Sequence, residues 1–280
     1  MFDSAQAVAA AVAVARDHGI AVTDPVILND SYNLRIHMHP APIVARVPAV
    51  VSLGRPRPAE AMAREVVVVS YLDGLGFPVV PPSDLLPPGP VVRDGVPITF
   101  WRHVGHDPRR RLTSAGMGRA LAELHAALRG FPGDLPVLTP VLEETACLLD
   151  ALAAVLSPDE LAELRAARDG LTLAGPLQAV HGDAHPGNLL MTAGGPLWND
   201  FEETHAAPVA WDLAVLLGTS RLDGRKAVLA YGADPDELGP FVAARRFQVV
   251  LWMLAKATRF PGDMPRARAA LDTWRAGRPG

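Results

Sequence analysis

Residues 179–212 read AVHGDAHPGNLLMTAGGPLWNDFEETHAAPVAWD, and this stretch decides how the remainder of the chain is read. The apolar runs Gln178-Ala179-Val180 and Leu189-Leu190-Met191 flank a polar cluster of His181, Asp183, His185 and Asn188. A turn at Ala193-Gly194-Gly195-Pro196 leads into Leu197-Trp198-Asn199-Asp200-Phe201. The pattern predicts strand, polar loop, short strand, tight turn and short strand, ending on a carboxylate. Asp183, Asn188 and Asp200 then stand at neighbouring loop ends. Convergent carboxylate and amide oxygens suit a hard cation such as Mg2+, which takes few protein ligands and completes its shell with water and phosphate oxygens.

Asp183 precedes Asn188 by five residues, and Asp200-Phe201 follows twelve after Asn188. Protein kinases space their catalytic-loop Asp, Asn and later Asp-Phe in the same order. Here the loop is H-G-D-A-H-P-G-N, and the second motif is D-F-E where kinases have D-F-G. The stretch resembles the aminoglycoside phosphotransferase and choline kinase-like enzymes, whose H-G-D-x-H-x-x-N is present residue for residue. Their later D-L-A stands at Asp212-Leu213-Ala214. The resemblance implies an α+β, bilobal protein-kinase-like fold that phosphorylates a hydroxyl of a small molecule with ATP and Mg2+. Asp183 would be the catalytic residue at that hydroxyl, Asn188 and Asp200 would hold the metal, and Asp212 would brace the loop. Two other classes fit parts of the pattern. His181, Asp183 and His185 form an H-x-D-x-H set that a metal-dependent hydrolase could use, although Gly182, Pro186 and Gly187 bend the segment. A nucleotide-binding protein without transferase activity is the other.

Composition narrows the classes. A formal net charge of −4 over 280 residues lacks the basic footprint of nucleic-acid binders. Cys147 is the single cysteine, so no intrachain disulfide can form, and a reducing compartment is expected. The run MFDSAQAVAAAVAVARDHGI begins with Asp3 and no basic residue, which predicts a helix over 4–17 instead of a targeting segment. No run reaches about 18 consecutive apolar residues, so no membrane span is expected. A cytoplasmic location is expected, as a monomer or weak dimer, and the resemblance implies a small hydroxylated acceptor as partner.

Along the chain, Tyr32–Met38 alternates as a half-exposed strand, and Ile43–Val47 is a second strand after a turn at His39–Pro42. This antiparallel start suits a kinase-like small lobe, and the family's polar loop would place Ser31 and Asn33 at the phosphates. No lysine occurs before Lys226. The V-A-R at Arg46 therefore stands where protein kinases have V-A-I-K, and Glu65, on a helix over 59–75, would pair with it. Arg46 would contact the phosphates through a fork where lysine offers a point charge. A hairpin turn at Asp94-Gly95 precedes a strand over 96–101, and residues 102–106 form the expected hinge to the adenine. The first lobe, 1–104, would bind nucleotide. The second, 105–280, would be helical, with helices over 113–128, 142–156, 158–168, 211–217, 228–231, 237–257 and 265–274, and a basic tail that includes Arg278.

The acceptor is read from charge. Glu202 and Glu203, with Glu143, Glu144 and Asp150, would line a pocket for a cationic or amino-bearing molecule, as an aminoglycoside, another antibiotic or an amino-bearing metabolite would need.

Overall fold

The computed structural model describes residues 3–87 and 89–277, and the Arg278 of the expected basic tail lies outside them. The chain divides into two compact units. The first comprises the chain up to Ser52, Arg57–Arg111 and Gly187–Thr204; the second comprises Leu53–Pro56, Leu112–Pro186 and everything from His205. The division is therefore not one cut near residue 104. Residues 187–204 pack with the first unit, because backbone bonds tie them to it: Val80 N–H donates to Trp198 O at 2.8 Å and Asp107 N–H to Met191 O at 2.9 Å.

In the first unit, α1 (Ser4–Asp17) is followed by β1 (Val22–Asp30), β2 (Asn33–Pro40) and β3 (Ile43–Pro48), then α2 (Pro58–Gly74), β4 (Val91–Arg93) and β5 (Val96–Arg102). The strands form an antiparallel sheet in the order β1-β2-β3-β5-β4. Leu34 pairs with Val47, Ile36 with Ala45, and Ala45 with Phe100. Since alternate residues share a face, these side chains form one apolar layer, which packs on Ala7, Ala10, Ala11 and Val14 of α1. The other face carries Arg35 opposite Arg46. Asp94 and Gly95 have φ of 52° and 77°, as a two-residue hairpin turn requires.

β1 was not expected. Pro25 interrupts it and Val26, Ile27 and Leu28 are all exposed, so it has neither alternation nor a continuous buried run. A proline inside a strand is tolerated at a sheet edge, where its missing N–H breaks no ladder. The remaining pair of strands, β7 (Leu189–Thr192) and β8 (Gly195–Trp198), makes the hairpin read from the sequence.

The second unit holds α3 (Ser114–Leu128), α4 (Thr145–Leu152), α5 (Pro158–Asp169), α6 (Ala210–Leu217), α7 (Gly224–Tyr231), α8 (Gly239–Arg259) and α9 (Met264–Ala276). It also contains the two-stranded pairing of β6 (Gln178–Val180) with β9 (His205–Ala207). Thr113 caps α3, and Ser157 with Glu160 forms a reciprocal capping box on α5. The helix expected over 142–156 is shorter. Pro140–Glu144 forms a wider π turn and α4 ends at Leu152. The Thr145 hydroxyl donates back to the Val141 carbonyl there, a bond of the kind that bends a helix. Val141, Val180, Ala207, Trp211, Phe241 and Ala244 form a core beneath the loop that follows β6.

Candidate active site

Two guanidinium groups directly opposite on one sheet face repel each other unless anions lie between them. In the first unit those anions are carboxylates. Arg46 Nη1 donates to Glu65 Oε1 at 2.8 Å and to Asp200 Oδ1 at 2.9 Å, and Arg35 Nη2 donates to Asp200 Oδ2 at 2.5 Å. Glu65 and Arg46 are 1% and 4% exposed, so their pairing replaces the water each has lost. The Asp200 carboxylate beside it raises the Arg35 guanidinium above its ordinary value, against the lowering effect of burial. The helix glutamate and strand cation expected to pair therefore do so. Glu60, one helical turn before Glu65, instead makes an exposed contact with Arg57.

Asp200 arrives from the β7–β8 hairpin. Leu189 pairs with Trp198, and Asn199 N–H donates to Asn188 O at 3.0 Å, so the register sets Asn188 beside the Asn199-Asp200 step. Asp200 itself adopts a left-handed conformation, φ 68° and ψ 54°. This is strained for most residues and tolerated by Asp. A short 3-10 turn, Phe201–Glu203, follows it.

Arg35, Arg46, Glu65 and Asp200 form the charged end of a cavity of about 340 Å3. Val44, Val69 and Val80 contribute apolar walls, and Trp101–Val104 the remaining side. His103 stacks on His37 at 3.9 Å between ring centres, and burial, aided by His37 and His106, holds its imidazole below the ordinary value. A pocket with apolar walls and a charged end that carries both guanidinium and carboxylate groups can take a flat ring against the walls and polar groups at the charged end.

Other expected residues lie elsewhere. Ser31 occupies the turn between β1 and β2 and does not line the cavity. Asn33 donates to Glu202 Oε2 at 2.9 Å, and Glu202 also lies 3.7 Å from Arg46. Glu202 is thus engaged by residues of the first unit. Glu203 is half-buried and, like Glu202, does not line the cavity that holds Arg46. Glu144 is 3% exposed and held by Arg55 at 2.6 Å, and Asp150 accepts from Arg165 at the surface.

In the second unit the loop after β6 is held from below. Asp212, fully buried, accepts from His181 N–H and Gly182 N–H at 2.8 Å each and lies 2.9 Å from His125 Nε2. Burial alone would raise its carboxyl, but His125, His181 and these N–H donors hold it below the ordinary value. Trp211 Nε1–H donates to Gly182 O at 2.9 Å, and Gly182 has φ 90°. Asp212 is the brace expected of it. The loop carries Asp183, whose Oδ1 is bound by Arg245 and whose Oδ2 lies 3.3 Å from His185 Nε2. Burial would raise the Asp183 carboxyl, but Arg245, with His185 and His181, keeps it well below the usual carboxylate range.

The H-x-D-x-H metal set does not form. His181 is fully buried with Nδ1 accepting from Asp183 N–H, and among the described residues no group of three or more His, Cys, Asp or Glu side chains is arranged to hold a metal ion.

The model of one family, described as the phosphotransferase enzyme family, matches residues 39–245. The chain belongs to the phosphotransferase enzyme family. Its fold is shared by solved structures of low identity. The GDP and kanamycin complex of APH(2")-IIia is 18% identical, with 96% of this chain and 99% of that one covered and a TM-score of 0.65. The amicoumacin kinase hAmiN with AMP-PNP, Ca2+ and Ami is 14% identical, covering 97% and 94%, with a TM-score of 0.61. The choline kinase LicA from Streptococcus pneumoniae is 13% identical, covering 95% and 99%, with a TM-score of 0.57. No curated protein matches the chain. For this phosphotransferase, two site residues escape the sequence motifs: Arg35 and Arg245. Arg35 was legible in principle, since the alternation that puts Arg46 on the polar face of β3 puts Arg35 on the same face of β2. Arg245 lies in the first half of α8 with no local signature.

Proposed function

We propose that this phosphotransferase moves the γ-phosphoryl group of ATP to a hydroxyl of a small molecule, with Mg2+. The observation that carries the reading is the Arg35–Arg46 pair on one sheet face, anchored by Glu65. It is a cationic fork that phosphate oxygens satisfy as carboxylates do. The apolar walls and the Trp101–Val104 segment suit the base of the nucleotide. Asn188 and Asp200 supply hard oxygen donors and would hold Mg2+, which when bound neutralises charge on the phosphates.

The acceptor oxygen forms a bond to the γ-phosphorus while the bond from that phosphorus to the β–γ bridging oxygen breaks. ADP leaves with that electron pair, and the hydroxyl proton passes by way of Asp183 to solvent. Asp183, ionised and weakly basic beside Arg245, orients the hydroxyl more than it pulls the proton. In a loose transition state such positioning carries most of the catalysis. The lone Cys147 suits a cytoplasmic enzyme.

The test is incubation with Mg-ATP and a panel of hydroxylated small molecules, reading both ADP and the mass of the phosphorylated product. Product is expected with at least one member. Tight Mg-nucleotide binding with no product from any member would make this a nucleotide-binding protein without transfer.

A further inference from the structure

The second unit contains its own cavity, about 850 Å3, between α6, α8 and α9. Its size suits a small-molecule ligand. Val242, Val249 and Val250 of α8 line it with Val215 of α6 and Trp274 of α9. The ionisable lining among the described residues is basic throughout: His185, Arg245 and Arg246. Val242, Arg245, Arg246 and Val249 follow the three-to-four spacing of one helix face, so α8 presents apolar and cationic groups together.

The charge balance can be followed group by group. Arg245 is bound to Asp183 and donates to Gln248, and His185 lies against the same Asp183 carboxylate. The Asp183 carboxylate that these two touch is therefore already neutralised. Arg246, exposed at the cavity, has no carboxylate partner among the described residues. Arg246 thus leaves the lining of the cavity with an excess of positive charge. A polycation brought here would meet Arg246 with nothing to offset the repulsion, whereas an anion would complete it. The residues shared between the cavity and the Asp183 cluster, His185 and Arg245, make the two continuous.

We propose that this cavity takes the phosphoryl acceptor, and that the acceptor is a hydroxylated molecule with an apolar body and a carboxylate or similar anionic group, not an aminoglycoside or other polycation. This rests on the phosphotransfer reading and reverses the cationic acceptor expected from Glu202 and Glu203. The apolar walls bury the acceptor body, Arg246 binds its anionic group, and Asp183 meets its hydroxyl.

The experiment uses the full chain and a panel of hydroxylated aliphatic and aromatic carboxylates, their methyl esters, the matching amino alcohols, choline and kanamycin. Binding is measured by calorimetry without nucleotide, and turnover as ADP formed from Mg-ATP. The acids are expected to bind more tightly than their esters and amino alcohols. Arg246→Glu should weaken the acids by ~10-fold or more, the loss of one charge-assisted hydrogen bond, while ATP affinity stays at the wild-type value. Tighter binding of kanamycin, choline or the amino alcohols, or an order of affinities unchanged by Arg246→Glu, would overturn the proposal. Acids that bind with this preference but yield no ADP would remove phosphotransfer and leave the ligand class standing. ADP from kanamycin and none from the acids would do the reverse.

Discussion

Arg46 and Asp200, 154 positions apart in the chain, are joined by a hydrogen bond of 2.9 Å from Nη1 to Oδ1. The same nitrogen serves Glu65. A strand, a helix and a hairpin thus meet at one guanidinium. The planar group can hold both carboxylates because its donors are fixed in a fork.

Removing that fork should cost both stability and nucleotide affinity. Arg46→Ala leaves Glu65 buried without its cation, a change that typically costs about 3–5 kcal/mol, and the KM for ATP should rise. Arg46→Lys should be milder, since it keeps the charge but reaches fewer oxygens. Chemical denaturation together with ATP kinetics checks this. Wild-type KM for Arg46→Ala would show the nucleotide to be held elsewhere.

Asp183→Asn should lower turnover by ~10²–10⁴-fold, the usual contribution of a residue that orients or accepts a proton. Nucleotide binding should be unchanged, because the cavity with Arg46 and Asp200 lies within the first unit. Calorimetry with nucleotide and single-turnover rates separate the two effects. A variant turning over at the wild-type rate would take Asp183 out of the mechanism.

Asp212 links pH to stability. Its folded-state carboxyl lies below the ordinary 3.8, so its contribution is complete above that value and is lost as the pH falls through the lower folded one. Asp212→Ala orphans the buried His181 and Gly182 N–H groups at roughly 1–3 kcal/mol each, and should flatten the acid limb of the stability curve. Thermal melts of both proteins from neutral pH downward measure the difference. An unchanged acid limb would mean that the loop is braced by other groups.

Gly118→Ala tests the packing of α3 on α7. A Cβ at Gly118 would stand 2.1 Å from the Ala227 carbonyl oxygen and 2.9 Å from Tyr231 N, both backbone atoms. The helices must part, and overpacking of this kind typically costs about 1–3 kcal/mol. Urea denaturation gives the value. Gly239→Ala, where the added Cβ meets nothing within 4 Å, is the neutral control.

The sequence by itself determined the local features. The β7–β8 hairpin follows from two short apolar runs around Gly194-Gly195, and with it the meeting of Asn188 and Asp200, because a hairpin register brings the residues at its mouth together whatever surrounds it. The caps at Thr113 and Ser157 and the turn at Asp94-Gly95 are similarly local, each set by a residue's own hydrogen bonds or φ. The pairing of Arg46 with Glu65 came from the kinase-like motif. What only the tertiary structure decided depends on partners distant in sequence. β1 owes its strand form to its place at the edge of the sheet, where Pro25 and exposed apolar side chains do no harm. Glu202 reads from the sequence as a lining for a cationic acceptor, but its neighbours in the fold are Asn33 and Arg46. Arg245 reads as one of many arginines on a helix, yet it binds Asp183 from 62 positions away. A charge's function is set by which opposite charge reaches it after burial. Helix and strand periodicity specify only which face it leaves from, and for Arg245, Glu202 and Arg246 the partner, or its absence, was settled by packing.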